Sequence, residues 1–241
     1  MATRPSTFIP ACLDGKSWTI RSTNTWSTRC TCTGDLPVCA SAVAYPGSEQ
    51  ENMPSHWSVY VTVSDLEAAT ERARAAGGTV ISEPFQVMDV GRMSMIQDQQ
   101  GAMLRLWYPI QHVGAGVINE PGALSWFELA TTDTDSAQEF YAQVLEVEIG
   151  PDPDSPFPYT LVKVDGEPAA GIIQIVDDWG PVPPNWGVYF GVDDVDGTVA
   201  KARELGGKVI VEPNDIGDFA RFSVLSDPEG AVFSVINLTQ W

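Results

Sequence analysis

The chain has 241 residues, enough for two domains of ordinary size that each bury a core. Its 32 acidic and 13 basic residues give a formal net charge of −19, with the acids scattered rather than clustered; such a surface repels phosphate backbones and anionic lipid, which argues against nucleic acid and membranes as partners. No apolar run reaches the roughly 18 residues that cross a bilayer, and the start MATRPSTFIPACLDG lacks the apolar core of a secretory signal, so the expected location is the cytoplasm.

Residues 1–50 differ in composition from the rest. They hold four basic and three acidic residues, against nine and 29 in residues 51–241. All four cysteines (Cys12, Cys30, Cys32, Cys39) lie here, with thirteen Ser and Thr by position 41. The cysteine spacing contains no C-x-x-C pair and the nearest histidine is His56, a poor match to a zinc site. A Cys12–Cys39 disulfide would need an oxidising compartment, so free thiols are expected.

Along the chain, IPACLDG (9–15) reads as a strand, and KSWTIRSTNTWSTRCTCTG after it has no helical periodicity and favours turns and extended backbone. Residues 58–107 read as β-α-β-β-β, with Gly77-Gly78 stopping the helix and residues 98–101 making a turn. Beyond a linker at 113–121, residues 124–130 form a strand, Thr132 to Asp135 supply caps, and 136–145 form an amphipathic helix with Phe140, Tyr141 and Val144 on one side. Strands follow at 159–164 and 169–176, and a Pro-rich joint at 180–184 leads to the last segment. There a strand at 187–192, a helix at 195–205 closed by Gly206-Gly207, a strand at 208–211 stopped by Glu212-Pro213, and strands at 221–225 and 231–236 repeat the β-α-β-β-β order.

Residues 54–107 and 183–236 are one segment written twice, 129 positions apart, identical at 20 of 54 positions without a gap. The repeat predicts a duplicated domain: 1–112, a linker at 113–121, and 122–241.

The phrases LSWFELATTDTDSAQEFYAQVL, VYFGVDDVDGTVAKARELGG and RFSVLSDPEGAVFSV resemble the vicinal oxygen chelate superfamily, also called the glyoxalase, bleomycin-resistance and extradiol-dioxygenase family. The resemblance covers residues 54–238 well and 1–53 poorly. It implies an α+β fold of paired βαβββ modules whose mixed sheets form ligand-holding cups, in two tandem glyoxalase-like domains, often around a divalent metal. Tandem two-domain members without metal, some found beside antibiotic hydroxylation steps in actinomycetes, look most similar.

Metal-using members place His or Gln early in a module's first strand and Glu in its closing strand. Here the first-strand positions fall on Trp126, Gly187 and Ser58, and the closing-strand positions on Ser234 and Arg105. None is a good hard-metal ligand and Arg105 repels a cation. The only histidines, His56 and His112, read as a rim residue and a linker residue. No metal and no cofactor are expected, and glyoxalase or ring-cleaving dioxygenase activity is placed in doubt.

Strand alternation then lines the second cup with Trp126, Glu128 and Ala130, with Gly187, Tyr189 and Gly191, and with Val232, Ser234 and Ile236. Glu128 is its one carboxylate and the candidate catalytic acid or base. The plain alternative is an anchor for a backbone or arginine hydrogen bond, such as one from Arg221. Arg221 joins the candidate ligand-binding set with Trp126, Glu128, Gly187, Tyr189, Ser234, Tyr60 and Arg105.

The first domain reads as damaged. IPACLDG aligns with the first strand of the other half at an offset of 114, with Cys12 on Trp126 and Asp14 on Glu128, and the offset of about 129 returns after Val38. The missing length matches the Phe-Tyr helix, as if residues 15–37 marked a deletion or reading-frame slip. Tyr60, Thr62, Met103, Arg105 and Trp107 would then face a poorly formed partner, and sequencing the source DNA would decide it. Three functions stay open: a module that binds a small hydrophobic or aromatic molecule; a metal-independent isomerase, lyase or hydroxylation auxiliary using Glu128; and a metal-dependent lyase or dioxygenase. A monomer with an internal pseudo-dimer and a homodimer both fit.

Overall fold

The computed structural model describes the strand backbones at 16–21, 27–33 and 36–42 and all of residues 54–238. The segment IPACLDG and the side chains of the four cysteines lie outside the described residues. From residue 54 onward the chain builds three complete βαβββ modules. The first has β4 (Tyr60–Thr62), α1 (Leu66–Ala75), β5 (Thr79–Val87), β6 (Gly91–Gln97) and β7 (Met103–Pro109). Next come β8 (Leu124–Thr131), α2 (Thr134–Leu145), β9 (Glu148–Pro151), β10 (Thr160–Val164) and β11 (Glu167–Gln174). A 3-10 turn at Asp177–Trp179 precedes β12 (Asn185–Gly191), α3 (Val195–Glu204), β13 (Lys208–Ile216), β14 (Ala220–Ser226) and β15 (Val232–Leu238).

Each helix starts where an aspartate caps it. Asp65, Asp133 and Asp194 sit in extended backbone and accept from the amides of Ala68, Ser136 and Gly197 at 2.9, 3.0 and 3.0 Å, which satisfies amides the helix leaves unpaired. α1 and α3 end on Gly77 and Gly206, whose φ of +86° and +88° suits glycine. In both copies an aspartate ties the turn before the closing strand: the Asp98 carboxylate accepts from the amides of Gln100, Gly101 and Ala102, and that of Asp227 from Glu229 and Ala231.

Two strands run longer than the sequence suggests. β13 continues through Glu212-Pro213 and β5 through Glu83-Pro84, because both pairings shift register there, between Val209 and Asn214 and between Val80 and Phe85. A bulge lets a proline, which has no amide hydrogen to give, sit inside a strand. β9, between the helix and the strand at 159–164, is the further strand that completes this module.

Near the start, β1 (Lys16–Arg21), β2 (Ser27–Thr33) and β3 (Leu36–Ala42) form an antiparallel meander. Its register repeats that of β9–β10–β11: Thr33 pairs with Leu36 as Val164 pairs with Glu167, and Pro37 and Pro168 each stand just before a register shift. Within KSWTIRSTNTWSTRCTCTG, the described strands at 16–21 and 27–33 therefore pair as the later strands of a module do and do not stand in for its helix. The matching pairs put these strands about 131 positions before β9–β11 (Thr33 to Val164, Leu36 to Glu167), near the repeat's 129, where the alignment finds that offset only after Val38.

The chain forms two compact units that do not follow its order: residues 1–57, 115–125 and 188–241, and residues 58–114 with 126–187. In the first unit β12 runs parallel to β15, and β13–β14–β15 is antiparallel. Phe190 and Phe233 lie in its core, with α3 supplying Val195, Val199 and Ala202. In the second unit two modules share a helical layer. The Arg72 guanidinium on α1 donates to the Val144 carbonyl of α2 at 2.9 Å, and the Phe140 ring closes on Gly78 so tightly that any side chain there would clash. Leu104, Leu106, Ile96, Leu129, Phe140, Tyr141 and Val144 are buried around it. No described helix is long and apolar enough to cross a membrane.

Candidate functional site

Strand alternation sets the site in the second unit. In β8, Leu129 is buried on the helix side, so Trp126 and Glu128 stand on the opposite, open face. β11 runs parallel beside it with Gly171 opposite Glu128. Tyr159, just before β10, lies across Gly171, where an added Cβ would stand 1.8 Å from the phenol oxygen. The ring position therefore depends on glycine.

These residues form a directed chain of hydrogen bonds. The Trp126 indole donates to the Tyr159 hydroxyl at 2.9 Å, and that hydroxyl donates to Glu128 Oε2 at 2.7 Å. Burial, then the Glu128 charge, push the Tyr159 phenol far above its usual range, so it keeps its proton at any ordinary pH. Gly187 leaves room beside Glu128: a Cβ there would meet only the Glu128 carbonyl, at 3.6 Å. Trp126, Glu128, Tyr159 and Gly187 are each half-buried.

A second Trp–Tyr–carboxylate chain in the same unit shows the same chemistry used for packing. Trp186 donates to the Tyr141 hydroxyl at 3.0 Å, which donates to Asp98 at 3.0 Å, and Tyr141 is fully buried between helix and sheet. What sets the Glu128 chain apart is its open face.

The remaining candidates lie elsewhere. Tyr189 and Ser234 pair in register in the first unit, Tyr189 half-buried and Ser234 buried. Arg221, in the same unit, commits all three guanidinium nitrogens to Asp196 (2.7 and 3.0 Å) and Asp215 (2.7 Å). Its twin Arg92 pairs likewise with Glu67, the twin of Asp196. Arg221 is thus a helix-to-strand clasp. His56 is exposed and bonds to the Pro54 carbonyl, and the exposed His112 lends its carbonyl to the Trp107 indole.

On the first complete module, Tyr60 pairs with Arg105 and Thr62 with Trp107, and across β7 Met95 and Met93 face Arg105 and Trp107. Arg105 is 4% exposed, its guanidinium carbon 5.6 Å from the centre of the half-exposed Tyr60 ring. Burial works against its charge, and no carboxylate pairs with it among the described residues.

The donor set does not fit a divalent cation. The positions where metal-using proteins of this type would place ligands carry an indole, a glycine, hydroxyls and a guanidinium, and among the described residues no three His, Cys, Asp or Glu side chains converge. Tyr159 and Gly171 were missed in the sequence. A lone glycine inside the strand EPAAGIIQ was the available sign of close approach.

Comparison with known proteins agrees with this module architecture. Residues 126–236 match a family model described as a glyoxalase-like domain, and residues 27–106 match the glyoxalase/bleomycin resistance protein/dioxygenase superfamily. A putative glyoxylase, CFP32, of Mycobacterium tuberculosis is 40% identical over 206 residues, which cover 83% of this chain and 76% of that protein. The anthracycline biosynthesis protein DnrV of Streptomyces peucetius is 37% identical over 195 residues, covering 81% and 70%. The 2,2',3-trihydroxybiphenyl 1,2-dioxygenase of Sphingomonas wittichii strain RW1 shares the fold, with a TM-score of 0.57 at 12% identity over 95% of this chain and 83% of that one. With three βαβββ modules in place and a relative at this identity along most of both chains, the protein belongs to the glyoxalase/bleomycin resistance protein/dioxygenase superfamily.

Proposed function

We infer that the open face bearing Trp126, Tyr159 and Glu128 binds a small, flat, largely apolar molecule that offers Glu128 a hydrogen-bond donor or a positive charge, without using a metal. The observation that carries this is the directed chain itself. Tyr159 can only donate to Glu128, so the carboxylate is held as an acceptor beside an indole, in space kept open by Gly187. Mostly apolar sites with a few placed polar groups are the usual form of small-molecule sites.

A panel of planar aromatic phenols and amines, with matched carboxylates, tests it by thermal shift and tryptophan fluorescence. Donor-bearing compounds should bind, and Glu128→Gln should weaken them about tenfold or more while the melting temperature holds. Equal binding by Glu128→Gln, or a clear preference for carboxylates that depends on Glu128, would sink the reading.

A second reading is favoured by the placement of Glu128 and by the relative named for anthracycline biosynthesis. Here Glu128 takes a proton from the bound molecule as general base, as expected for an isomerase, a lyase or an auxiliary of a hydroxylation step. Turnover that vanishes in Glu128→Gln while the ligand still binds would select this reading over binding alone.

A further inference from the structure

We propose that the face of the first complete module formed by Tyr60, Arg105 and Trp107 is a separate binding site for a small planar organic carboxylate. Arg105 is 4% exposed, yet no carboxylate and no hydrogen-bond acceptor among the described residues meets its guanidinium; its one recorded partner is the face of the Tyr60 ring at 5.6 Å. An arginine never sheds its charge, and a buried charge without a counter-ion is costly.

The surroundings are built for a flat ligand. Tyr60 and Trp107 meet edge to face at 6.1 Å, and Met93 and Met95 extend the same face from β6. Trp107 is fixed in place: its indole donates to the His112 carbonyl at 2.9 Å and lies over Gly91, where a Cβ would come within 2.2 Å of the ring. Two rigid rings and two polarizable thioethers frame a planar fork that matches a carboxylate's two oxygens.

The internal repeat supplies a control. In the twin module the register is the same, Tyr189 opposite Ser234 as Tyr60 is opposite Arg105, but serine stands for the arginine and Ile236 for Trp107. Only one copy carries the cation and the second ring, so the pair is an addition to the scaffold and not a requirement of it. Its charge preference is also opposite to that of the Glu128 site.

The test compares 1-naphthoate with its neutral analogue 1-naphthamide, by calorimetry on the whole chain. The acid should bind about tenfold or more tightly than the amide, and the preference should persist in Glu128→Gln. Arg105→Met should lose the preference yet, without ligand, melt at the wild-type temperature or above, because it removes an uncompensated charge. Equal affinity for acid and amide overturns the proposal. So does a ligand-free Arg105→Met that melts well below wild type or fails to fold, since the guanidinium would then already be satisfied within the protein.

Discussion

Gly171 and Gly187 lie beside the same carboxylate, and the structure assigns them opposite responses to one added methyl group. Alanine in place of glycine ordinarily stabilises by about 0.4–1 kcal/mol where the backbone allows it, because the unfolded chain loses freedom. At Gly187 the new Cβ meets only the Glu128 carbonyl at 3.6 Å, an ordinary contact. At Gly171 it would stand 1.8 Å from the Tyr159 oxygen, so the ring must leave and both hydrogen bonds of the chain break. Gly187→Ala should therefore hold or gain stability in urea denaturation while weakening aromatic ligands that need the space. Gly171→Ala should lose about 1–3 kcal/mol. Matching losses at both positions would show that Tyr159 does not rest on Gly171. In the sequence, Gly187 stood out because it occupies a ligand position of the superfamily; Tyr159 lies in an irregular entry to β10, where no periodicity marks it.

Elements reveal what the internal repeat preserves. Asp65 and Asp194 cap helices, Gly77 and Gly206 end them, Asp98 and Asp227 tie turns, and Arg92 and Arg221 clasp helix to strand. Identity between the copies thus marks scaffold, which is why the module order was legible and why Arg221, chosen for its chemistry, is a clasp. The features that differ, Arg105 against Ser234 and Trp107 against Ile236, carry the site-like character. One conserved pair has come apart. Trp186 donates to Tyr141, which the Phe-Tyr helix α2 supplies, but the buried indole nitrogen of its twin Trp57 has no hydrogen-bond partner among the described residues. Trp57 still packs edge-on against Phe190 at 5.2 Å. Trp186→Phe should cost about 0.5–1.5 kcal/mol more than Trp57→Phe, since only the former removes a hydrogen bond, the one the indole donates to the buried Tyr141 hydroxyl. Chemical denaturation of the two variants compares them directly, and equal losses would mean that Trp57 has a polar partner after all.

For the whole molecule, charge sets how stability varies with pH. At a net charge of −19 and a pI near 4.2, the folded chain repels itself at neutral pH. Acid lessens that repulsion as the two histidines charge and the first carboxyls take up protons, so the melting temperature should rise modestly from about pH 7.5 to about pH 5 at low salt, and the rise should shrink in about 0.5 M salt, where screening acts within a few ångströms. Further acid reverses the trend. Hydrogen bonds from Arg92 and Arg221 hold the Glu67 and Asp196 carboxyls below their ordinary 4.5 and 3.8. A depressed folded value contributes stability above the unfolded pKa and loses it as pH falls through the folded one, so these clasps fail only below about pH 4. Both pairs are exposed, and the loss they cause should be small. The alkaline limb has another origin. Burial raises the Tyr141 and Tyr159 phenols above 10.0, and each also faces a carboxylate. Their neutral form is favoured in the fold, so their contribution is complete below pH 10 and falls above it, where the unfolded chain ionises first. Thermal melts from about pH 3.5 to 11 should trace a dome with its crest on the acidic side of neutrality, and Tyr159→Phe should flatten its alkaline edge. A crest at pH 8 or above, unmoved by salt, would mean that the surface charge is already balanced by local pairing and does not govern the stability of this chain.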